Sequence, residues 1–297
     1  MSMSCFNLDM LFKPALRLGL ALKGVQDYVC YQPAVPDKKE HIGSKSDIPS
    51  VAMPMFAPPS TEADLQKMRQ LIADDVPFLI QWPEDHPVIP AEKSQAVEAY
   101  LHKTLAEDGY KDDDEFLIVK FEKWHENYGE LDKFVQGILP RLRHPRLNWP
   151  LWFLGNYSTS GPHVDAMFGS VNVYYMAHGS KYVKILTRAA TERLPVHYKD
   201  DYLFPLDSSE IPKYPSYEGV LKENSVLVFS NSACLHIFEN LPGPKPRALS
   251  LRLKYTGKVH PLIIETAMCS WDYVEHVTKL IRNAATKGKL LRTNFVK

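Results

Sequence analysis

The spacing of apolar positions changes character near the middle of the chain. From Trp149 onward, short runs of β-branched and aromatic residues alternate with turn residues: Leu151 to Tyr157, Val171 to Met176, Tyr182 to Leu186, Val226 to Phe229 and Ala248 to Tyr255. Such runs predict strands, and several of them within about a hundred residues predict a sandwich or small barrel. His178-Gly179-Ser180 predicts a hairpin turn between two of them. Before Trp149 the pattern is mixed. A Ser60-Thr61 cap followed by early acids predicts a helix over residues 62–74. Glu92 to Ala106 and Lys123 to Leu139 predict two more, the last with Trp124, Tyr128, Leu131 and Phe134 at helical spacing as a core stripe. Pro77 to Trp82 and Phe116 to Phe121 predict strands, the first stopped by Pro83. Residues 1–30 read as partly helical, and the prolines between residues 31 and 60 predict an extended arm. Ser270 to Leu291 predicts a helix, acidic early and basic late. The chain therefore divides into residues 1–60 (helix and Pro-rich arm), 61–148 (mixed support), 149–256 (β core) and 257–297 (helical segment), with 61–297 expected as one globular unit.

Composition narrows the function classes. The 297 residues carry 35 Lys+Arg against 35 Asp+Glu, a net charge of zero, which disfavours a dedicated nucleic-acid binder. The hydrophobic fraction of 45% is that of a globular chain and not of a disordered one. Cys5, Cys30, Cys234 and Cys269 form no CxxC pair, so neither a zinc ribbon nor a thioredoxin-type site is expected, and sparse cysteine suits a reducing compartment. No segment has the roughly 20 apolar residues of a membrane span. A soluble, cytoplasmic protein is expected, the nucleus being an alternative.

The chemistry concentrates in three residues. His163-Val164-Asp165 places an imidazole and a carboxylate at i and i+2, on one face of a strand. With a second, distant histidine such a pair forms the facial triad of a non-haem Fe(II) centre, which leaves coordination positions open. A His-x-Asp triplet arises by chance in a chain of this size, so context must carry the reading. The triplet follows a polar turn and precedes two apolar strands. Much later the buried run Val226 to Phe229 ends, and His236 lies just past it. His178 and His197 read as surface residues.

With these residues in place, the chain resembles the cupin-type Fe(II)/2-oxoglutarate oxygenases, and among them the JmjC-like hydroxylases, over roughly Trp152 to Tyr255. The stretches "PFLIQWPEDHP" and "VKFEKWHENY" extend a weaker similarity upstream. The resemblance implies a mainly β fold with flanking helices around a double-stranded β-helix (jelly-roll or cupin) core. It implies His163, Asp165 and His236 as catalytic metal ligands, with Fe(II) and 2-oxoglutarate as cofactors and dioxygen as cosubstrate. Lys181 matches the hairpin lysine that pairs with the remote carboxylate of 2-oxoglutarate. Asn172 and Tyr174 match inward-pointing positions lining the site, and Ser160 matches a hydroxyl that bonds the cosubstrate. Arg247 competes with Lys181, because it is similar to the late-strand arginine of the phytanoyl-type oxygenases.

Departures are visible too: Glu223-Asn224 replaces the usual Gly-Asp, and Ser-Ala-Cys-Leu replaces a Trp-rich run before His236. The implied activity is hydroxylation of an unactivated C–H of a peptide or protein side chain, or of a small metabolite, with release of succinate and CO2. A cupin metalloenzyme that uses no 2-oxoglutarate and a non-catalytic JmjC-like binding module are the alternatives. The insert Arg188 to Gly219, with five aromatics, is expected to cover the mouth of the site as a lid or to anchor itself to the barrel. No nucleic-acid or membrane partner is expected; the resemblance implies a homodimer through the C-terminal helix, packing of that helix onto its own domain being the alternative.

Overall fold

Helix and strand boundaries follow local signals closely where the chain has them. The computed structural model describes residues 27–31, 50–107, 117–121, 128–139, 149–153, 161–165, 170–199, 202–254 and 291–292. The chain runs through β1 (Asp27–Tyr31), β2 (Val51–Ala52), β3 (Met55–Phe56), α1 (Glu62–Ala73), β4 (Phe78–Gln81), α2 (Ala91–Glu107), β5 (Leu117–Phe121) and α3 (Gly129–Ile138). There follow β6 (Trp149–Phe153), β7 (Val164–Asp165), β8 (Ser170–His178), β9 (Lys181–Leu186), α4 (Arg188–Arg193), β10 (Val196–Lys199), β11 (Tyr202–Pro205) and a 3-10 helix (Ser208–Lys213). Last come β12 (Ser216–Leu221), β13 (Ser225–Ser230), β14 (His236–Asn240), β15 (Arg247–Lys254) and β16 (Leu291–Arg292). Helix α1 begins with a capping box: Thr61 accepts from the Asp64 amide, and Asp64 accepts from the Thr61 amide at 2.9 Å.

The strands form two main sheets. One runs β16-β1-β5-β6-β15-β8-β13-β4-β3, the other β14-β9-β12-β2. A bridge between His163 and His236 attaches β7 to the second sheet, and with it the small sheet β10-β11-β7. From β6 onward the chain visits the large and small sheets in alternation, except that β9 and β12 are neighbours in the small one. That path is a double-stranded β-helix, the core expected over residues 149–256. The Gly179–Ser180 turn between β8 and β9 is as tight as expected. Gly179 has φ 71°, and a Cβ there would lie 2.6 Å from the Pro244 carbonyl oxygen.

Period-two alternation sorts the side chains. Tyr174, Met176, Leu227, Phe229 and Ala248 of the large sheet meet Val183, Ile185, Leu221 and Phe238 of the small one, making the barrel interior. The intervening residues Val171, Val173, Val226, Val228, Leu249 and Leu251 turn outward and pack under Met68 and Ile72 of α1 and Leu131 and Phe134 of α3. A third cluster, with Val164, Leu186, Leu203, Leu235 and Ile237, fixes the segment between β9 and β12 to the outer side of the small sheet.

Three expectations need correction. Residues 27–31 are a strand, not helix; Asp-Tyr-Val-Cys-Tyr is rich in strand formers and pairs along its length with β5. The expected insert stops earlier, because Ser216 to Gly219 belong to β12, a barrel strand paired with β9. Within the Pro-rich arm, Val51 to Phe56 pair with β12 and β4, so this stretch bridges the two sheets. Residues 1–26 and 32–49 of the N-terminal helix and arm, and Ser270 to Leu290 with the expected dimer contact, lie outside the described residues. Among the described residues no helix is long and apolar enough to cross a membrane.

Candidate metal centre

Backbone hydrogen bonds bring three distant residues together. Gly161, at φ 62°, turns the chain into Pro162 and β7. The His163 amide donates to the His236 carbonyl at 3.2 Å, and the His236 amide returns the bond to His163 at 2.9 Å. The Asp165 amide donates to the Asn231 carbonyl at 3.0 Å. Side chains of His163, the residue before β7, and Asp165, two positions on, point the same way as that of His236 at the start of β14. One ligand atom from each of the three lies within 4.8 Å of the other two. All three residues are buried.

The donors are arranged as lone pairs facing a common point. His163 Nδ1 lies 3.1 Å from the Gly161 carbonyl and His236 Nδ1 lies 3.0 Å from the Cys234 carbonyl. Two carbonyl acceptors hold both rings with the proton on Nδ1, so each Nε2 presents a lone pair. His163 Nε2 is 3.8 Å from Asp165 Oδ1, and His236 Nε2 is 3.9 Å from Asp165 Oδ2. These are too long for hydrogen bonds. Asp165 Oδ1 is buried with no hydrogen-bond partner.

Charge states suit a cation. Burial lowers the pKa of both histidines, that of His236 to about 3 with help from His163, so both are neutral at neutral pH. Burial opposes ionisation of Asp165, but the Arg252 guanidinium and the Asn231 amide hold its carboxyl below the usual range. Two neutral imidazoles and one carboxylate, whose buried Oδ1 makes no hydrogen bond, fit a divalent ion of the Fe(II) class, with positions left open for other ligands.

A supporting layer holds this geometry. Asn231 Nδ2 donates to Asp165 Oδ2 at 2.5 Å. Asp75, buried at the left-handed turn after α1 (φ 55°), accepts from Ser230 Oγ at 2.7 Å and from Arg188 Nη1 at 2.8 Å. Thr191 Oγ1 accepts from the Leu235 amide at 3.0 Å. The turn that carries Asn231 and His236 is thus clamped from α1 and from α4. Arg252 Nη1 reaches within 3.4 Å of Asp165 Oδ1, and the Tyr202 ring packs edge-on against His163 at 5.2 Å.

The other expected residues fall at different heights in the barrel. Asn172 is buried opposite Phe229 and Arg252, and accepts from Ser250 Oγ at 2.9 Å. Tyr174 lies in the interior against the Phe238 ring at 4.9 Å. Lys181 shares the inward face of β9 with Ile185, the residue opposite His236, but sits four residues along, about 13 Å of strand. It is 1% exposed, its Nζ donates to Asn240 Oδ1 at 2.6 Å, and burial lowers its pKa to about 7. Arg247 is opposite His178 at a bulge, at the same end of β15 and away from the triad. Ser160 lies outside the described residues. His178 is half-buried beside Glu98 and Glu223, and His197 is exposed.

Asn231, Asp75 and Arg252 did not stand out in the sequence, whereas Tyr202 is one of the five aromatics of the insert expected to cover the site or to anchor itself to the barrel, and its ring lies against His163. Arg252 is disguised by alternation: in Leu-Ser-Leu-Arg-Leu the polar positions would ordinarily face solvent, whereas here Ser250 and Arg252 face the polar part of the interior. The long polar run Ser230-Asn231-Ser232 before His236 was the available signal for Asn231, since it continues a buried strand.

No family model matches the chain, and no curated protein does. Among solved structures the chain is similar to the epimerase SnoN in complex with Fe3+, alpha ketoglutarate and nogalamycin RO, at 11% identity and TM-score 0.43, over 68% of this chain and 88% of that one. It is similar to a second structure of the non-heme alpha ketoglutarate dependent epimerase SnoN from nogalamycin biosynthesis at 12% identity and TM-score 0.42, over 68% and 87%.

Proposed function

We propose that the protein is an Fe(II)- and 2-oxoglutarate-dependent dioxygenase that hydroxylates an unactivated C–H bond. The observation that carries this reading is the convergence of His163 Nε2, Asp165 and His236 Nε2 as unprotonated donors inside a double-stranded β-helix. When bound there, the iron supplies the oxidation: 2-oxoglutarate and dioxygen yield succinate, CO2 and one oxygen atom inserted into the substrate.

The chain's own residues bind, orient and exclude water. His163, Asp165 and His236 would hold the metal. Lys181 is the proposed partner of the remote carboxylate of 2-oxoglutarate; its inward burial supports this, because an ammonium kept in an apolar interior gains from a matching anion. Arg247 is the rival on the late strand. Arg252, beside Asp165, holds that carboxylate ionised. Tyr174 and Asn172 line the space between, and the apolar interior around Phe229 and Phe238 keeps it dry.

Succinate release from 2-oxoglutarate tests the proposal. The expected result is slow Fe(II)-dependent release in the wild type, none in Asp165→Ala, and a raised KM for 2-oxoglutarate in Lys181→Ala exceeding that in Arg247→Ala. Iron-independent release, or release retained in Asp165→Ala, overturns it.

A further inference from the structure

The segment between β9 and β12 is built into the metal centre rather than hinged over it. Strand β11 pairs with β7 so that Tyr202 stands opposite Asp165 and Leu203 opposite Val164. Strand β10 pairs with β11 so that His197 stands opposite Phe204. Directly opposed residues share a face. One face of this small sheet, with Val164, Leu203 and Val196, packs into the core. The other carries the ligands His163 and Asp165 and continues through Tyr202 and Phe204 to His197.

That second face is a row of rings starting at the metal centre. Tyr202 lies 5.2 Å from His163, Phe204 lies 5.9 Å from Tyr202, and His197 lies 6.0 Å from Phe204, centroid to centroid. Burial falls along the row: His163 is buried, Tyr202 and Phe204 are half-buried, and His197 is exposed. Two strand spacings separate β7 from β10, so the row spans about 10 Å. An apolar ring surface left half open, continuous with a buried ligand set, is where a substrate can lie with one end at the metal.

We infer that Tyr202, Phe204 and His197 form a fixed shelf for a planar aromatic ring of the substrate, with the ring's inner edge delivered toward the metal triad. This rests on the reading of the triad as a catalytic centre and names the substrate class for it. The rings are tilted to one another by 44° and 37°, which offers a flat ligand both ring faces and ring edges. Aromatic pairs prefer such offset and edge contacts, and a puckered saturated ring meets fewer of them.

Ligand-observed NMR with 2-naphthol tests the shelf without turnover, and decahydro-2-naphthol is the saturated control. N-acetyl-tryptophanamide distinguishes an aromatic side chain from a free aromatic molecule as the source of the ring. With the full chain loaded with Mn(II), 2-naphthol or the tryptophan amide is expected to bind more tightly than the saturated alcohol. Binding is expected to weaken about threefold to tenfold in Phe204→Leu, which keeps apolar bulk but removes the ring. It is expected to be unchanged in Met55→Ala, an exposed apolar position on β3. Mn(II) is expected to broaden the bound probe's signals in the wild type and not in Asp165→Ala, while binding itself persists in that variant. Binding that ignores Phe204→Leu, or equal binding of the saturated alcohol, overturns the shelf. Binding that obeys Phe204→Leu with no broadening, in protein that holds Mn(II), overturns delivery of the ring to the triad, whereas failure to hold Mn(II) at all overturns the metal reading beneath it.

Discussion

At the scale of single residues the centre depends on atoms that have no bond to spare. Asn231 Nδ2 donates a short hydrogen bond to Asp165, 2.5 Å to Oδ2. Asn231→Ala is predicted to weaken Mn(II) or Zn(II) affinity about 10- to 100-fold, as loss of a partner to a metal ligand generally does, while Asn231→Asp places a like charge there and weakens it further. Isothermal titration with either ion measures this; unchanged affinity in both variants would contradict the role. Lys181 makes a different prediction. Its folded pKa is about 7 against 10.5 for the unfolded chain, so between those values the unfolded state binds more protons and stability rises with pH. The penalty is greatest below pH 7 and fades as pH rises toward 10.5. The stability advantage of Lys181→Met over the wild type should therefore shrink by about 2 kcal/mol between pH 7 and pH 9 without cosubstrate. Urea denaturation at the two pH values reads it, and a pH-independent difference would show that Lys181 is not held in the low-dielectric interior. His163, Asp165 and His236 were legible through their context, a His-x-Asp triplet beside apolar strands and a histidine just past the buried run Val226 to Phe229, and not through residue type alone. Asp75 and Arg252 were not legible, because their roles come from strand register and a turn 155 residues away from its partner Ser230.

At the scale of elements, strands with clean apolar runs were legible and strands that mix polarity were not. β8, β9, β13 and β15 carry continuous or alternating apolar residues, and each falls where the pattern places it. β12 reads Ser-Tyr-Glu-Gly-Val-Leu and β14 reads His-Ile-Phe-Glu-Asn. Neither has a strand-like signature, since one edge of each barrel strand meets polar groups: Glu218 pairs with the fully buried Lys184 at 3.1 Å, and His236 serves the centre. Asn224 shows how a departure from a familiar pattern is absorbed. It takes φ 60° in the turn before β13, a conformation Asn tolerates, and its side chain bonds the Val88 amide and the Pro83 carbonyl. The turn between β13 and β14 is held from outside by Asp75. Asp75→Ala is predicted to cost about 2 kcal/mol, because it removes the acceptor of Ser230, leaves Arg188 with Glu192 as its acidic partner and puts alanine at positive φ. It is also predicted to speed metal dissociation. Asp75→Asn keeps the turn and should lose less stability. Chemical denaturation together with metal release into a chelator separates the two effects; normal metal retention in a folded Asp75→Ala would contradict the clamp.

At the scale of the whole molecule the β-helix explains why the centre sits where it does. Crossing between sheets brings β7 and β14 side by side although His236 lies 71 positions after Asp165. The small sheet then offers the polar rung, and α1 and α3 cover the back of the large sheet. Binding that favours the folded chain must stabilise it, by about 2.7 kcal/mol at a metal concentration a hundred times Kd. Mn(II) or Zn(II) should therefore raise the melting temperature of the wild type and leave that of Asp165→Ala in place. The most direct test of the central claim is an anaerobic titration of the metal-free protein with Fe(II) and then 2-oxoglutarate, followed by visible absorption, with Asp165→Ala alongside. The account predicts a metal-to-ligand charge-transfer band in the wild type that requires both additions and is absent from the variant. Stoichiometric iron binding without the band would contradict 2-oxoglutarate chelation, and failure to bind iron at all would contradict the metal centre itself.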